Sequence, residues 1–347
     1  MKEARIIDSK GMKWIESPDY NYSFDKTNGM FARWGKTIND DPDYSPVGPE
    51  ILDIEVTTKC KGPGGKLCSF CYKANTPNGT NMSLEDFKTI LHKMPKTLTQ
   101  CAFGADAQAE SNPDLFSMMD YCRTNEYNQI VPNITVADIS NNTADRLVDV
   151  CGAVAVSRYA DKDICYNSVS RLTSRGLKQT NIHIMISEET YEQALETIHD
   201  RIHDERLKDL NAIVFLSLKQ KGRGKGHTPL SQEKFNTLVE KAFELGVGIG
   251  FDSCSAPKFL ESIKDREDAK KLEVMVEPCE SSAFSAYINS EGDFYPCSFS
   301  EDEGDWANGI SVVKCDDFMK DIWNAPRVTE FRDNLLKCKR NCPLFKV

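Results

Sequence analysis

The chain has 347 residues, is 40% hydrophobic and 9% aromatic, and carries a net charge of −10. That length holds one large α/β barrel with an extension, or two ordinary domains, and the acidic balance argues against a nucleic-acid surface, which presents a basic field. No apolar run approaches the ~20 residues of a membrane span, and charges stand where a signal peptide places its apolar stretch, so a cytoplasmic protein without a membrane partner is expected.

Residues 1–50 are rich in Asp, Asn, Pro and Tyr, show no clean periodicity, and read as an irregular arm. From residue 51 the pattern changes to short β-branched runs alternating with amphipathic helical segments. Strands are expected at 51–58, 98–105, 130–138, 153–158, 181–187, 212–218 and 246–253. The helices between them have recognisable starts: Ser83 followed by Asp86 makes a near capping box, and the segment beginning at Ser231 ends at Gly246. Such alternation implies parallel strands with right-handed crossovers, an α/β barrel or part of one, over 51–253.

Residues 254–347 read as a smaller α+β module: a charged helix, a hairpin turning at Ser290, Glu291 and Gly292, and two short helices. One basic segment, 219–227, sets Lys219, Lys221, Arg223, Lys225 and His227 among glycines. It is either a flexible solvated loop or a cradle for an anionic substrate group.

Thirteen cysteines in a chain with no secretion signal point to metal ligands or catalytic thiols rather than disulfides. Cys101, Cys122 and Cys151 sit among apolar residues and read as buried small hydrophobes, and Cys165 opens an expected helix. Two groups remain. Cys60, Cys68 and Cys71 follow the first barrel strand, which puts them in a loop at the C-terminal face, where such barrels carry chemistry. They suit either zinc with a distant fourth ligand or a 4Fe–4S cluster with one open iron. Cys279, Cys297, Cys338 and Cys342 make the second group, with Cys254 and Cys315 nearby; the hairpin brings Cys279 and Cys297 side by side.

The motif "CSFC" at 68–71, in the loop after the first strand, resembles the radical S-adenosylmethionine (SAM) superfamily, whose three cysteines end C-x-aromatic-C. The gap "KGPGGKL" between Cys60 and Cys68 is longer than the family's usual one. Cys279, twelve residues, Gly292, four residues and Cys297 resemble the opening of the family's SPASM/Twitch extension, and the cysteine count matches the shorter Twitch form. The resemblance implies a partial (β/α)6 TIM-like barrel with a Twitch-like extension. It implies a SAM-binding 4Fe–4S cluster on Cys60, Cys68 and Cys71 beside Phe70, and one auxiliary 4Fe–4S cluster on Cys279, Cys297, Cys338 and Cys342.

For SAM itself the resemblance implies Gly104 and Asp106 at its amino group, Ser157 at its ribose and Arg158 at its carboxylate. Cys254 is a substitute auxiliary ligand, a hydrogen-atom donor or a buried thiol; Cys315 reads as structural. The implied activity is reductive cleavage of SAM, with electrons from a flavodoxin or ferredoxin, to a 5′-deoxyadenosyl radical that takes a hydrogen atom from the substrate. That substrate is expected to be a peptide, undergoing cross-linking, oxidation or epimerisation; small-molecule dehydrogenation and a non-catalytic zinc protein are the alternatives.

Overall fold

The computed structural model describes residues 4–345. Residues read as an irregular arm contain an antiparallel sheet of four strands: β1 (Arg5–Asp8), β2 (Met12–Glu16), β3 (Asn21–Asp25) and β4 (Phe31–Trp34), in that order. The polar–apolar alternation of Asn21–Asp25, with Tyr22 and Phe24 buried, was the available signal, but it is confined to a strand of 5 residues and the exposed β1 shows none. Tyr20, Tyr22 and Phe24 form one small core with Cys279, Phe284 and Leu335 of the C-terminal module.

The main sheet is built from β5 (Ile51–Glu55), β6 (Gln100–Gly104), β7 (Val131–Val136), β8 (Ala153–Ser157), β9 (Thr180–Ile186), β10 (Ala212–Ser217) and β11 (Ile249–Phe251), all parallel neighbours in sequence order. Helices α1 (Leu84–Lys93), α2 (Leu115–Thr124), α3 (Asn141–Val150), α4 (Lys162–Thr173), α5 (Tyr191–His203) and α6 (Gln232–Glu244) connect successive strands. Several helix starts follow their sequence signals, with Ser83 Oγ accepting from the Asp86 amide and Ser231 Oγ from the Lys234 amide. This is the TIM-like partial barrel expected from the alternation.

After α7 (Ala256–Ile263) and α8 (Ala269–Glu273), the hairpin forms from β12 (Ser285–Ile288) and β13 (Asp293–Tyr295), with Gly292 at φ 81° in its turn. β14 (Ile310–Ser311) and α9 (Pro326–Lys337) complete the chain. The hairpin does not stand apart: β12 pairs in parallel with β5, so the barrel sheet continues through β12, β13 and β14. No described helix is long and apolar enough to cross a membrane.

Strand alternation separates two faces of the barrel. Residues facing the helices, such as Leu52, Ile54, Cys101, Phe103, Ile182 and Ile184, are buried in the main core. The alternate residues Asp53, Asn133, His183 and Val214 keep partial water access, so they line an open lumen rather than a packed one.

Candidate cluster and substrate site

The loop after β5 carries Cys60, Cys68 and Cys71, and all three are half-buried free thiols. The Cys68 thiol is pushed up to about 11 by burial; Tyr159 hydrogen-bonds it, and the Cys71 and Cys60 sulfurs act on it from close by. Phe70 stacks on Tyr159 with ring centroids 5.6 Å apart and meets the His227 ring edge-on at 6.1 Å. Tyr159 also hydrogen-bonds Ser157, which brings Ser157 beside the thiol loop. Tyr159 itself was not singled out; its place two residues beyond Ser157, on the same side of the chain, is the available signal.

The long gap between Cys60 and Cys68 closes as a turn over Pro63–Gly65. Gly62 adopts φ 74°, and a Cβ there would lie 1.9 Å from the Lys66 carbonyl oxygen, so the turn requires glycine. The turn is anchored to the barrel: Gln108 Nε2 donates to the Gly62 carbonyl at 3.0 Å, and the Gly64 amide donates to Asp138 at 3.1 Å. The Gly62 amide points at Cys60 Sγ, 3.3 Å away.

Two of the residues expected at SAM are otherwise engaged. Asp106 is buried and its carboxylate accepts from the amides of Gln108, Glu110 and Ser111, which makes it the organiser of the loop after β6. Arg158 turns to the helix layer, where its guanidinium donates to Glu196 of α5 at 2.9 Å and to the Tyr159 carbonyl. Strand alternation explains this, since Ser157 and Arg158 cannot both face the lumen. Gly104 ends β6 with an exposed backbone in register with Glu55, at the C-terminal rim.

The second thiol group differs from the expected set by one member. Cys254, in the turn Ser253–Ser255 after β11, hydrogen-bonds Cys342, and Cys279 and Cys297 act on the same pair. Donation by the Cys254 thiol holds Cys342 down to about 6, and Cys254 is pushed up in return. The Phe345 amide approaches Cys342 Sγ at 3.3 Å. Cys338 instead lies exposed at the C-terminal cap of α9. Cys315 donates to the Val312 carbonyl, a local contact.

The basic segment 219–227 is neither a free loop nor an anion cradle. Gly222, at φ 53°, passes so close to the thiol loop that a Cβ would lie 2.2 Å from the Tyr72 carbonyl oxygen. Arg223 donates to the Cys68 carbonyl at 2.8 Å and to that of Asn75 at 3.2 Å. Lys221 donates to the carbonyls of Phe299 and Glu301 in the C-terminal module. The segment therefore clamps the thiol loop to that module. Tyr72 and Phe299 fill the space between the two thiol groups, their rings 4.3 Å apart.

Around this contact, Lys73 pairs with Glu55 at 3.1 Å and with Glu301, and donates to the Tyr287 hydroxyl at 3.0 Å. A cleft of about 320 Å³ opens there, lined by Thr58, Tyr72, Lys73, Lys221 and Glu301. A larger cleft of about 590 Å³ lies beside the N-terminal sheet, lined by Lys10, Lys26 and Tyr127 and by no cysteine. Deeper in the lumen Asp53 has only burial acting on it, which raises its carboxyl to about 6; burial likewise lowers His183 to about 4.

Among the described residues no three His, Cys, Asp or Glu side chains converge to the spacing of a single metal ion. A tetrahedral zinc, with sulfur at about 2.3 Å, demands that convergence. Both thiol groups contain cysteine alone and receive backbone N–H groups at sulfur, which fits iron–sulfur clusters.

Comparison with known proteins agrees. Residues 279–343 match the SPASM family, an iron-sulfur cluster-binding domain. The structure is similar to that of Streptococcus suis SuiB bound to its precursor peptide SuiA, with a TM-score of 0.71, 14% identity, and 94% of this chain and 90% of that one covered. It also resembles native anSMEcpe with bound AdoMet and a Cp18Cys peptide, with a TM-score of 0.58, 16% identity, and 84% and 86% covered. No curated protein matches the sequence. The chain thus has the fold of the radical SAM enzymes and carries a SPASM iron–sulfur cluster-binding domain at its C-terminal end.

Proposed function

We propose that the protein is a radical SAM enzyme acting on a peptide. The observation that carries the reading is the pair of thiol groups: three cysteines in the loop after β5, and four in the C-terminal module, with the Tyr72–Phe299 contact between them. Three thiolates leave one corner of a 4Fe–4S cluster open for a ligand. Cys60, Cys68 and Cys71 would hold that cluster, which when bound would supply the one-electron chemistry for reductive cleavage of SAM to a 5′-deoxyadenosyl radical. Phe70, Tyr159 and Ser157 flank that corner, and the exposed rim at Gly104 offers backbone to SAM. The neighbouring thiol loop, segment 219–227 and C-terminal module exclude water from the mouth.

A peptide substrate is supported by SuiB and anSMEcpe, both solved with peptides bound. The cleft beside Lys73 and Glu301, open to solvent and lined by charged and polar groups, suits an extended chain better than a small apolar molecule. A flavodoxin or ferredoxin is the fitting donor for a one-electron step. The auxiliary cluster is held by Cys254, Cys279, Cys297 and Cys342, with Cys254 taking the place expected for Cys338.

Anaerobically reconstituted protein should hold roughly eight irons per chain with equal acid-labile sulfide, and form 5′-deoxyadenosine from SAM on reduction. Replacing Cys60, Cys68 and Cys71 together by Ala should abolish that product and halve the iron. Cys254→Ala should lower iron content while Cys338→Ala leaves it unchanged; the reverse pattern refutes the auxiliary ligand set. Zinc without sulfide refutes the whole reading.

A further inference from the structure

We infer that Asp53 anchors a positively charged side chain of the substrate, a lysine or arginine of the bound peptide, inside the barrel lumen. The inference rests on the proposed function in taking the lumen as the place where the substrate binds. It deepens that reading by assigning the charge of the group that enters.

The lumen wall has a one-sided charge pattern. Strands β5 to β11 contain no lysine or arginine, and apart from the Cys101 thiol on the helix face their ionisable side chains are Asp53, Glu55 and His183. Asp53 and Glu55 stand two residues apart on β5 and so share a face. Glu55 has its partners: Lys73 pairs with it at 3.1 Å, and the Tyr287 hydroxyl donates to it at 3.4 Å. Lys73 is shared with Glu301, so one ammonium serves two carboxylates. Tyr287 is the register neighbour of Asp53 on β12, yet its hydroxyl turns to Glu55 and Glu301. On the other side Asp53 meets Ala102 and, beyond it, Asn133. The Asn133 side chain is occupied too, donating to Gln100 at 3.0 Å and accepting from the Ala153 amide at 2.9 Å. Asp53 is left without an ion-pair or hydrogen-bond partner among the described residues.

A carboxylate in that position destabilises the empty protein and rewards whatever satisfies it. The small Ala102 leaves room beside it, and its partial water access means that it is reached from the lumen. His183, facing the lumen from β9, is held neutral because burial lowers it to about 4, so it does not repel a cation. An ammonium or guanidinium supplies both the donors and the charge that Asp53 lacks. A neutral donor leaves the charge uncompensated, and an anion is repelled. Lysine and arginine also have the long apolar stem that lets the charge sit deep while the peptide backbone stays nearer the rim, where the thiol loop follows β5.

Ligand-observed NMR titrations of the reconstituted protein, without reductant, test this. The probes are four pentapeptides, Ac-Gly-Gly-X-Gly-Gly-amide with lysine, arginine, norleucine or glutamate at X, and butylammonium. The lysine and arginine peptides should bind about ten- to a hundredfold more tightly than the norleucine peptide, and the glutamate peptide should not bind. Asp53→Asn should remove the preference and Asp53→Glu should keep it. Glu196→Gln, which alters a carboxylate on the helix layer, should leave it unchanged. The comparison of peptides on the unsubstituted protein needs no variant and stands if one fails to fold. Three results overturn the inference while leaving a peptide substrate in place: equal binding of the lysine, arginine and norleucine peptides, a preference that survives Asp53→Asn, or one that falls equally in Glu196→Gln. Binding of neither the basic peptides nor butylammonium also overturns it. Butylammonium held through Asp53 while every pentapeptide is excluded would instead overturn the peptide as the carrier of the charge.

Discussion

Asp53 shows what a single residue reveals about the lumen. Its carboxyl faces the lumen and has no ion-pair partner among the described residues, and burial raises it from 3.8 to about 6. The folded state therefore binds its proton more tightly than the unfolded chain. The stability this contributes is complete below pH 3.8 and is lost as pH rises through about 6. Asp53→Asn should stabilise the protein at pH 8 by up to about 2 kcal/mol, and the gain should vanish toward pH 4. Urea unfolding at the two pH values measures it, and no gain at pH 8 would mean that lumen water solvates the carboxylate. The three thiols of the first group and the aromatic Phe70 are legible in the sequence because they are neighbours in the chain. Cys254 and Cys342 are not legible as a pair, since only the folded chain brings β11 and the C-terminus together. Arg158 illustrates the opposite case, because the period of a strand already assigns it and Ser157 to opposite faces.

At the scale of elements, the alternation of strands and helices from β5 to β11 follows the pattern of apolar residues and capping signals closely. The N-terminal sheet is less legible, because β1 is mostly exposed and the period of two in β3, Asn21–Asp25, runs over only 5 residues. Segment 219–227 was legible as basic and glycine-rich, but the need for those glycines arises only from the chain it touches. Gly222→Ala places a Cβ against the Tyr72 carbonyl and forces φ 53° on a side chain. A cost of about 1–3 kcal/mol is expected. Thermal unfolding should show it, and the iron bound at the thiol loop should fall, because Arg223 loses its hold on the Cys68 carbonyl. Full iron occupancy with unchanged stability would show that the segment yields without effect.

For the molecule as a whole, the junction of its three parts converges on Arg33 of β4. Its guanidinium pairs with Glu50 before β5 and with Glu277 and Glu280 before β12, and lies 3.5 Å above the Phe284 ring. Burial raises Glu50, and raises Glu280 to about 7, so both carboxylates depend on this one cation. Arg33→Ala leaves them buried without it, and a loss of about 3–5 kcal/mol is expected. Hydrogen exchange should report it as reduced protection in β3 and β12 together; loss confined to β3 and β4 would show that the sheet is an independent appendage. Nothing in the sequence announces this junction, whose members are scattered over nearly the whole chain.

The parallel pairing of β12 with β5 also fixes where the chain can be divided. A chain ending before β12 would keep every barrel helix and the three thiols after β5, yet β5 would be left as a bare edge strand. Its unpaired amides and carbonyls would face solvent along Ile51–Glu55, a ready template for sheet-to-sheet aggregation between copies. The C-terminal module therefore acts as the barrel's edge cover as well as the seat of its second thiol group, and the two roles cannot be separated by truncation.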